Sequence, residues 1–295
     1  MTSTSRGATA PEEETERDAQ GEWGGKTQGV GKYADVNGIN LYYEIHGTGR
    51  PVILLHGGLG ATSMFGPNLP ALAKGHQVIA VDLQGHGRTA DIDRPISPQL
   101  MADDIAALIK YLKLDRPDLM GYSLGGGVAM HTAIRHPELV GKLVIVSTNF
   151  RRNAYYRDIL AQQGQVGAEA AEAMKQTPMY QLYASIAPRV EDWPRLLSKI
   201  GDAMKDDFDF SKEIAQIKAP TMIVAGDADI FPPSHAVEFF GLLGGGKRDG
   251  GWDGSGRSNA RLAILPGLTH YTIFNAPALA ATVIPFLDEP APKGQ

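Results

Sequence analysis

Val52-Ile53-Leu54-Leu55 is a run of four apolar residues with no polar face. A strand of that kind has to be covered on both sides, as in a parallel sheet lying between layers of helices. Similar short apolar runs recur at 77–81, 118–120, 142–147, 221–225 and 261–265. Helix-like patterns separate them. One begins at Ser97 and carries Leu100, Ile105, Leu108, Ile109 and Leu112. Another carries Val128, Ala129, Met130, Ala133 and Ile134, a third spans 234–242, and the last starts at Ala276. At the front, 33–36 and 41–45 flank Asn37-Gly38, a turn pair suited to a β-hairpin. Alternating strands and helices imply right-handed crossovers, hence a mostly parallel α/β sheet with helices on both faces. Ligands bind at the carboxyl ends of such strands. The loops beginning at His56, Asp82, Ser123 and Ser147 therefore share one rim.

Gly121-Tyr122-Ser123-Leu124-Gly125 stands between a strand and a helix. It fits the G-x-S-x-G turn that lifts a serine hydroxyl clear of a sheet. The flanking glycines remove Cβ atoms that would collide with the crossing backbone. The bland reading is a glycine-rich turn opening an ordinary helix. The strand before and the helix after favour the nucleophile reading.

A serine hydroxyl needs a base to take its proton, and an imidazole base needs an orienting carboxylate. The acid candidates are Asp227 and Asp229, in Gly226-Asp227-Ala228-Asp229-Ile230-Phe231-Pro232-Pro233. Asp229 lies beyond the turn that Gly226 permits and is preferred; Asp227 is read as a brace of the loop. The base candidate is His270, on the loop after the last strand. His46, His76, His131, His136 and His235 fall within or beside predicted elements. His56 and His86 lie on rim loops and are read as loop braces.

The 295 residues suit one large α/β domain better than two folds. A hydrophobic fraction of 43% supplies a sizeable core, and a net charge of -5 without a basic run points away from nucleic acid or an anionic membrane surface. With no cysteine, disulfides, thiolate metal sites and a cysteine nucleophile are excluded. Residues 1–30 lack an apolar segment and carry Glu12-Glu13-Glu14; they read as a disordered acidic tail, and 291–295 as a short second tail. No apolar run reaches the ~20 residues of a membrane span. The expectation is a soluble cytoplasmic protein, with homo-oligomerisation left open.

Residues 150–212 break the strand rhythm and are punctuated by Pro178, Pro188 and Pro194. They are expected to form a helical cap inserted into a core made of 31–149 and 213–290. Met174, Met179, Tyr180, Tyr183, Trp193, Phe208 and Phe210 either line a pocket beneath the cap or pack it onto the body. Arg151 and Arg152 are candidates for an anionic substrate group, or a solvated pair. Residues 244–256 hold seven glycines and read as a flexible irregular loop, not a phosphate loop.

The order Ser123, Asp229, His270, with His56-Gly57-Gly58, Asp82-Leu83-Gln84-Gly85-His86-Gly87 and Pro266-Gly267-x-x-His270, resembles the α/β-hydrolase fold superfamily over residues 33–290. Within it, the chain resembles the small cofactor-free esterases and lactone-cleaving members. Gln84 departs from the arginine that relatives often carry. The resemblance implies an eight-stranded sheet and a catalytic triad of Ser123, His270 and Asp229. It implies an oxyanion hole from the N–H of Leu124 and that of Gly58, with Leu59 the near alternative, and neither metal nor cofactor. Leu59, Tyr183 and Trp193 are expected on the substrate side. The implied activity is cleavage of a small-molecule ester or lactone through an acyl-enzyme. Carbon–carbon bond hydrolysis or perhydrolysis on the same triad is the alternative, and a triad-bearing receptor a third. Serine at the elbow disfavours dehalogenase and epoxide-hydrolase chemistry.

Overall fold

The computed structural model describes residues 30–290. The tails expected at 1–30 and 291–295 lie outside the described residues, Val30 apart. Eight strands form one sheet: β1 (Val30–Val36), β2 (Ile39–His46), β3 (Arg50–Leu55), β4 (His76–Val81), β5 (Asp118–Tyr122), β6 (Leu143–Val146), β7 (Thr221–Ala228) and β8 (Ala260–Thr269). Their order is β1-β2-β4-β3-β5-β6-β7-β8. β1 runs antiparallel to β2, and β2 to β4; from β4 to β8 every pairing is parallel. Asn37 and Gly38 both take positive φ, 49° and 77°, which is what a two-residue turn matched to strand twist requires.

The apolar run of β3 behaves as its composition demands. Ile53 and Leu55 point to one face, Val52 and Leu54 to the other, and all four are buried. The first face meets α2 (Pro98–Tyr111), α3 (Leu124–Arg135) and α9 (Pro233–Leu242); the second meets α1 (Asn68–Ala73) and α10 (Pro277–Asp288). Each fully buried side chain of this size contributes about 1.5–3 kcal/mol. α2 starts where the sequence places it: Ser97 Oγ accepts the Leu100 N–H at 3.4 Å, and Pro98 occupies the first turn.

β8 is longer than the sequence pattern suggested, running to Thr269 instead of ending at Leu265. The register shifts between Gly226 and Ala228, and a Cβ at Gly226 would sit 2.1 Å from the Leu268 carbonyl oxygen. Glycine there lets β8 pass close beside β7 and carry the chain to His270. Lys142 ties α10 to the sheet: its Nζ donates to the Phe286, Leu287 and Glu289 carbonyls at the helix end.

Between β6 and β7 lie α4 (Arg157–Gln163), α5 (Ala171–Met174), α6 (Pro178–Ile186), α7 (Trp193–Lys205) and α8 (Ser211–Ile214), with one isolated bridge, Arg151 to Asp209. α7 is fastened to the loop after β4. Lys199 Nζ donates to Asp91 Oδ2 and to the Ile92 and Arg94 carbonyls, each at 2.7 Å, and Arg195 Nε reaches Asp91 at 2.9 Å. Gln84 belongs to the same cluster. It donates to Asp91 Oδ1 at 2.8 Å and accepts from Arg94 Nε at 2.6 Å. Residues 244–256 form a series of turns without a regular element, with Trp252 fully exposed. Among the described residues no helix is long and apolar enough to cross a membrane.

Candidate active site

Ser123 links β5 to α3 with φ 51° and ψ −116°, a conformation that costs energy for a residue with a Cβ. The surroundings enforce it. A Cβ on Gly121 would lie 2.0 Å from the Gly125 carbonyl oxygen, and one on Gly125 would lie 2.3 Å from that of Leu55. The turn is this tight because helix and strand backbones cross in contact. Ser123 N donates to the Val146 carbonyl at 2.9 Å, and Thr148 Oγ1 donates to the Ser123 carbonyl at 3.0 Å.

The structure brings Ser123, His270 and Asp229 within hydrogen-bonding reach. His270 Nε2 is 3.1 Å from Ser123 Oγ, and His270 Nδ1 is 2.9 Å from Asp229 Oδ1. Asp229 Oδ1 also accepts the Ile230 N–H at 2.8 Å, and Oδ2 accepts the Ser147 hydroxyl at 2.5 Å and the Gly226 N–H at 3.3 Å. Burial pushes the Asp229 carboxyl up, yet its bonds to His270, Ser147 and Ile230 together hold it below the usual carboxylate range. Asp227 sits outside this group: it is exposed, and Oδ1 accepts the Gly267 N–H at 2.8 Å, bracing the turn before His270. The Tyr122 hydroxyl donates to the His270 carbonyl at 2.7 Å. Burial raises the Tyr122 pKa well above the phenol range, so that proton stays on.

His56 and His86 do not approach this group. His56 Nδ1 lies 2.7 Å from the Gly57 carbonyl, and its Nε2 accepts the Leu83 N–H at 3.0 Å. His86 Nδ1 lies 2.8 Å from the Gln84 carbonyl. Burial lowers the two to about 4 and about 3, which keeps both neutral braces. The Gly57 N–H points to Met64 Sδ at 3.3 Å and that of Gly60 to the Gly57 carbonyl at 3.2 Å. The N–H groups of Gly58 and Leu59, between them, donate to no acceptor among the described residues. Leu124 supplies another free donor, as the first residue of α3, where the helix dipole is positive.

A cavity of about 850 Å³ opens over Ser123 and His270. Gly58, Leu59 and Leu124 line it, as do Met174, Met179, Phe208 and Phe210 from the segment between β6 and β7. Tyr183 and Trp193, expected on the substrate side, do not line it, and neither does Tyr180. Trp193 is 1% exposed and packs against Tyr180 and Tyr183 with centroids 5.4 and 5.1 Å away, while its Nε1 donates to the Ala171 carbonyl. α5, α6 and α7 are too short to hold together without a shared core, and these rings supply it. Arg151 and Arg152 also stand off the cavity. Arg151 forms a two-bond pair with Glu238 at 2.5 and 2.7 Å, and Arg152 Nε donates to the Met204 carbonyl. Ser147 and Tyr122 are the bracing groups that sequence reasoning missed. Ser147 had a signal, its place at the end of a rim strand; the bond of Tyr122 spans 148 positions and had none.

Residues 50–176 match a family model described as alpha/beta hydrolase fold. A putative carbamate hydrolase RutD from Azorhizobium caulinodans is 30% identical over 69% of this chain and 82% of its own length. The AB hydrolase superfamily protein YisY of Bacillus subtilis is 31% identical over 66% of this chain and 80% of its own. Among solved structures, the enol-lactonase from Burkholderia xenovorans LB400 superposes with a TM-score of 0.65 at 24% identity, covering 88% of this chain and all of that one. With sheet order, elbow and relatives matched over about two thirds of the chain in agreement, the chain belongs to the α/β-hydrolase fold family.

Proposed function

We propose that this protein is a serine hydrolase that cleaves small carboxylic esters or lactones through an acyl-enzyme. The observation that carries the reading is the chain of contacts from Ser123 Oγ to His270 Nε2 at 3.1 Å and from His270 Nδ1 to Asp229 at 2.9 Å. Ser123 Oγ attacks the carbonyl carbon as His270 takes its proton, and Asp229 steadies the imidazolium. The oxyanion falls to the N–H of Leu124 and that of Gly58, or of Leu59 beside it. His270 then protonates the departing alcohol. In the second half it removes a proton from water, which attacks the acyl carbon and frees Ser123. The relatives named for carbamate cleavage place carbamates beside esters as acyl bonds to test.

The test is turnover of p-nitrophenyl esters, lactones and an alkyl carbamate by the wild type and Ser123→Ala. The expected result is ester or lactone turnover that falls on the order of 10⁴–10⁶ in the variant, with a serine-directed phosphonate attached to Ser123 alone. Ester cleavage at a near-normal rate by Ser123→Ala overturns the reading.

A further inference from the structure

From Ser123 the cavity follows one face of α3. Leu124, Gly127, Met130 and His131 line it, a spacing that places them on one side of the helix. His131 lies eight positions beyond Ser123, roughly 12 Å along the helix axis. The residue is 3% exposed, its ring stands perpendicular to that of Phe210 with centroids 4.4 Å apart, and neither ring nitrogen has a hydrogen-bond partner among the described residues; Nε2 is sealed, which leaves Nδ1 as the nitrogen a cavity ligand meets. Burial, aided by the charge of Arg135, lowers the His131 pKa to about 4. Near neutrality the ring is uncharged, with one nitrogen a donor and the other an acceptor. A ring nitrogen without a protein partner, in a cavity that Met130, Met179 and Phe210 also line, is left unpaired when an apolar ligand displaces water, and a ligand group that pairs it removes that cost.

The charges around the cavity narrow the ligand further. No lysine or arginine lines it among the described residues, and Asp206 and Asp207 stand on its wall, both exposed. Away from the N–H groups beside Ser123 no cationic side chain offsets the desolvation of an anionic group, and the two carboxylates repel one.

We propose that His131 is a specificity-determining residue, receiving a hydroxyl or carbonyl that an uncharged, chain-like substrate carries roughly 12 Å from the bond cleaved at Ser123. This rests on the serine-hydrolase reading and adds the class of substrate.

The experiment compares three medium-chain p-nitrophenyl esters that differ only at the far end: plain, terminally hydroxylated and terminally carboxylated. A mirror series of acetates places the same three ends on the alcohol. In one of the two series the wild type is expected to favour the hydroxylated over the plain compound by about tenfold in kcat/KM, and to disfavour the carboxylated one by at least as much. In His131→Leu the hydroxyl preference collapses to a ratio of about one, whatever the absolute rates, and His131→Gln keeps part of it. Equal kcat/KM for plain and hydroxylated compounds in both wild-type series overturns the proposal. A second measurement needs no turnover: the Tm shift given by a medium-chain methyl ketone and by its terminally hydroxylated analogue. Greater stabilisation of the wild type by the hydroxylated ketone, lost in His131→Leu, supports the role of His131 even if no ester is cleaved and the serine-hydrolase reading falls. Equal stabilisation overturns it.

Discussion

Ser147 Oγ donates to Asp229 Oδ2 at 2.5 Å, while His270 Nδ1 lies 2.9 Å from the other oxygen of the same carboxylate. Both oxygens are thus held, and the carboxylate plane is fixed toward the imidazole. Ser147 adopts φ 49° just past β6, a strained conformation that this bond helps to retain. Ser147→Ala is expected to lower kcat about tenfold with KM little changed, the signature of a positioning role. Steady-state kinetics of the folded variant check it; an unchanged kcat refutes it.

The two neighbouring acids should separate by several orders of magnitude. Asp229→Asn is expected to lower kcat on the order of 10⁴, by leaving the imidazole in the wrong tautomer. Asp227→Asn removes only the brace to the Gly267 N–H, and a loss of under about tenfold is expected. Parallel rate measurements on the two variants decide the assignment.

Asp91 joins the loop after β4 to α7 through Lys199 and Arg195, with Gln84 holding its other oxygen. Here glutamine leaves the Asp91 charge available to the helix above. Lys199→Met is expected to loosen that helix, raising KM severalfold and exposing the segment between β6 and β7 to limited proteolysis. Cleavage there at the wild-type rate argues against it.

Lys142 Nζ meets three carbonyls at the end of α10, and burial lowers its pKa. Lys142→Met keeps the stem and leaves the carbonyls unpaired, at a cost of about 1–3 kcal/mol. For a domain of this size the expected fall in Tm is roughly 2–8 °C. Thermal denaturation checks it.

Asp82 is fully buried, and burial raises its pKa to about 6 despite N–H bonds from Arg88 and Thr62. The unfolded chain releases this proton near 3.8. Between these values the folded state binds more protons, so stability falls as pH rises from about 4 to about 6 and then levels off. Relative to Asp82→Asn, the wild type is expected to lose on the order of 3 kcal/mol across that window. Denaturant unfolding at several pH values measures the difference; a difference independent of pH would contradict the shift.

The grouping of Ser123, Asp229 and His270 was legible because each sits behind a local backbone demand. Gly121 and Gly125 mark a crossing too tight for any Cβ, and Gly226 marks the close pass of β8. Residue type and chain order therefore carried the geometry. Tyr183 and Trp193 were not legible in this way. An aromatic ring in a short helix serves a cavity or a shared core equally well, and which one wins depends on Ala171 and Tyr180 arriving from other turns. Arg151 is a similar case, since its partner Glu238 is 87 positions away. His131 was assigned to a predicted helix, correctly, but its facing onto the cavity follows from the path of the segment above it.

β8 continues past Leu265, the partner of Gly226, to Thr269, so His270 follows directly on a strand paired with the one that leads into Asp229. The general base inherits the stiffness of a sheet and not the looseness of a tether. On heating, loss of turnover should coincide with the cooperative melting of the whole molecule, with no temperature interval in which an intact but idle enzyme accumulates.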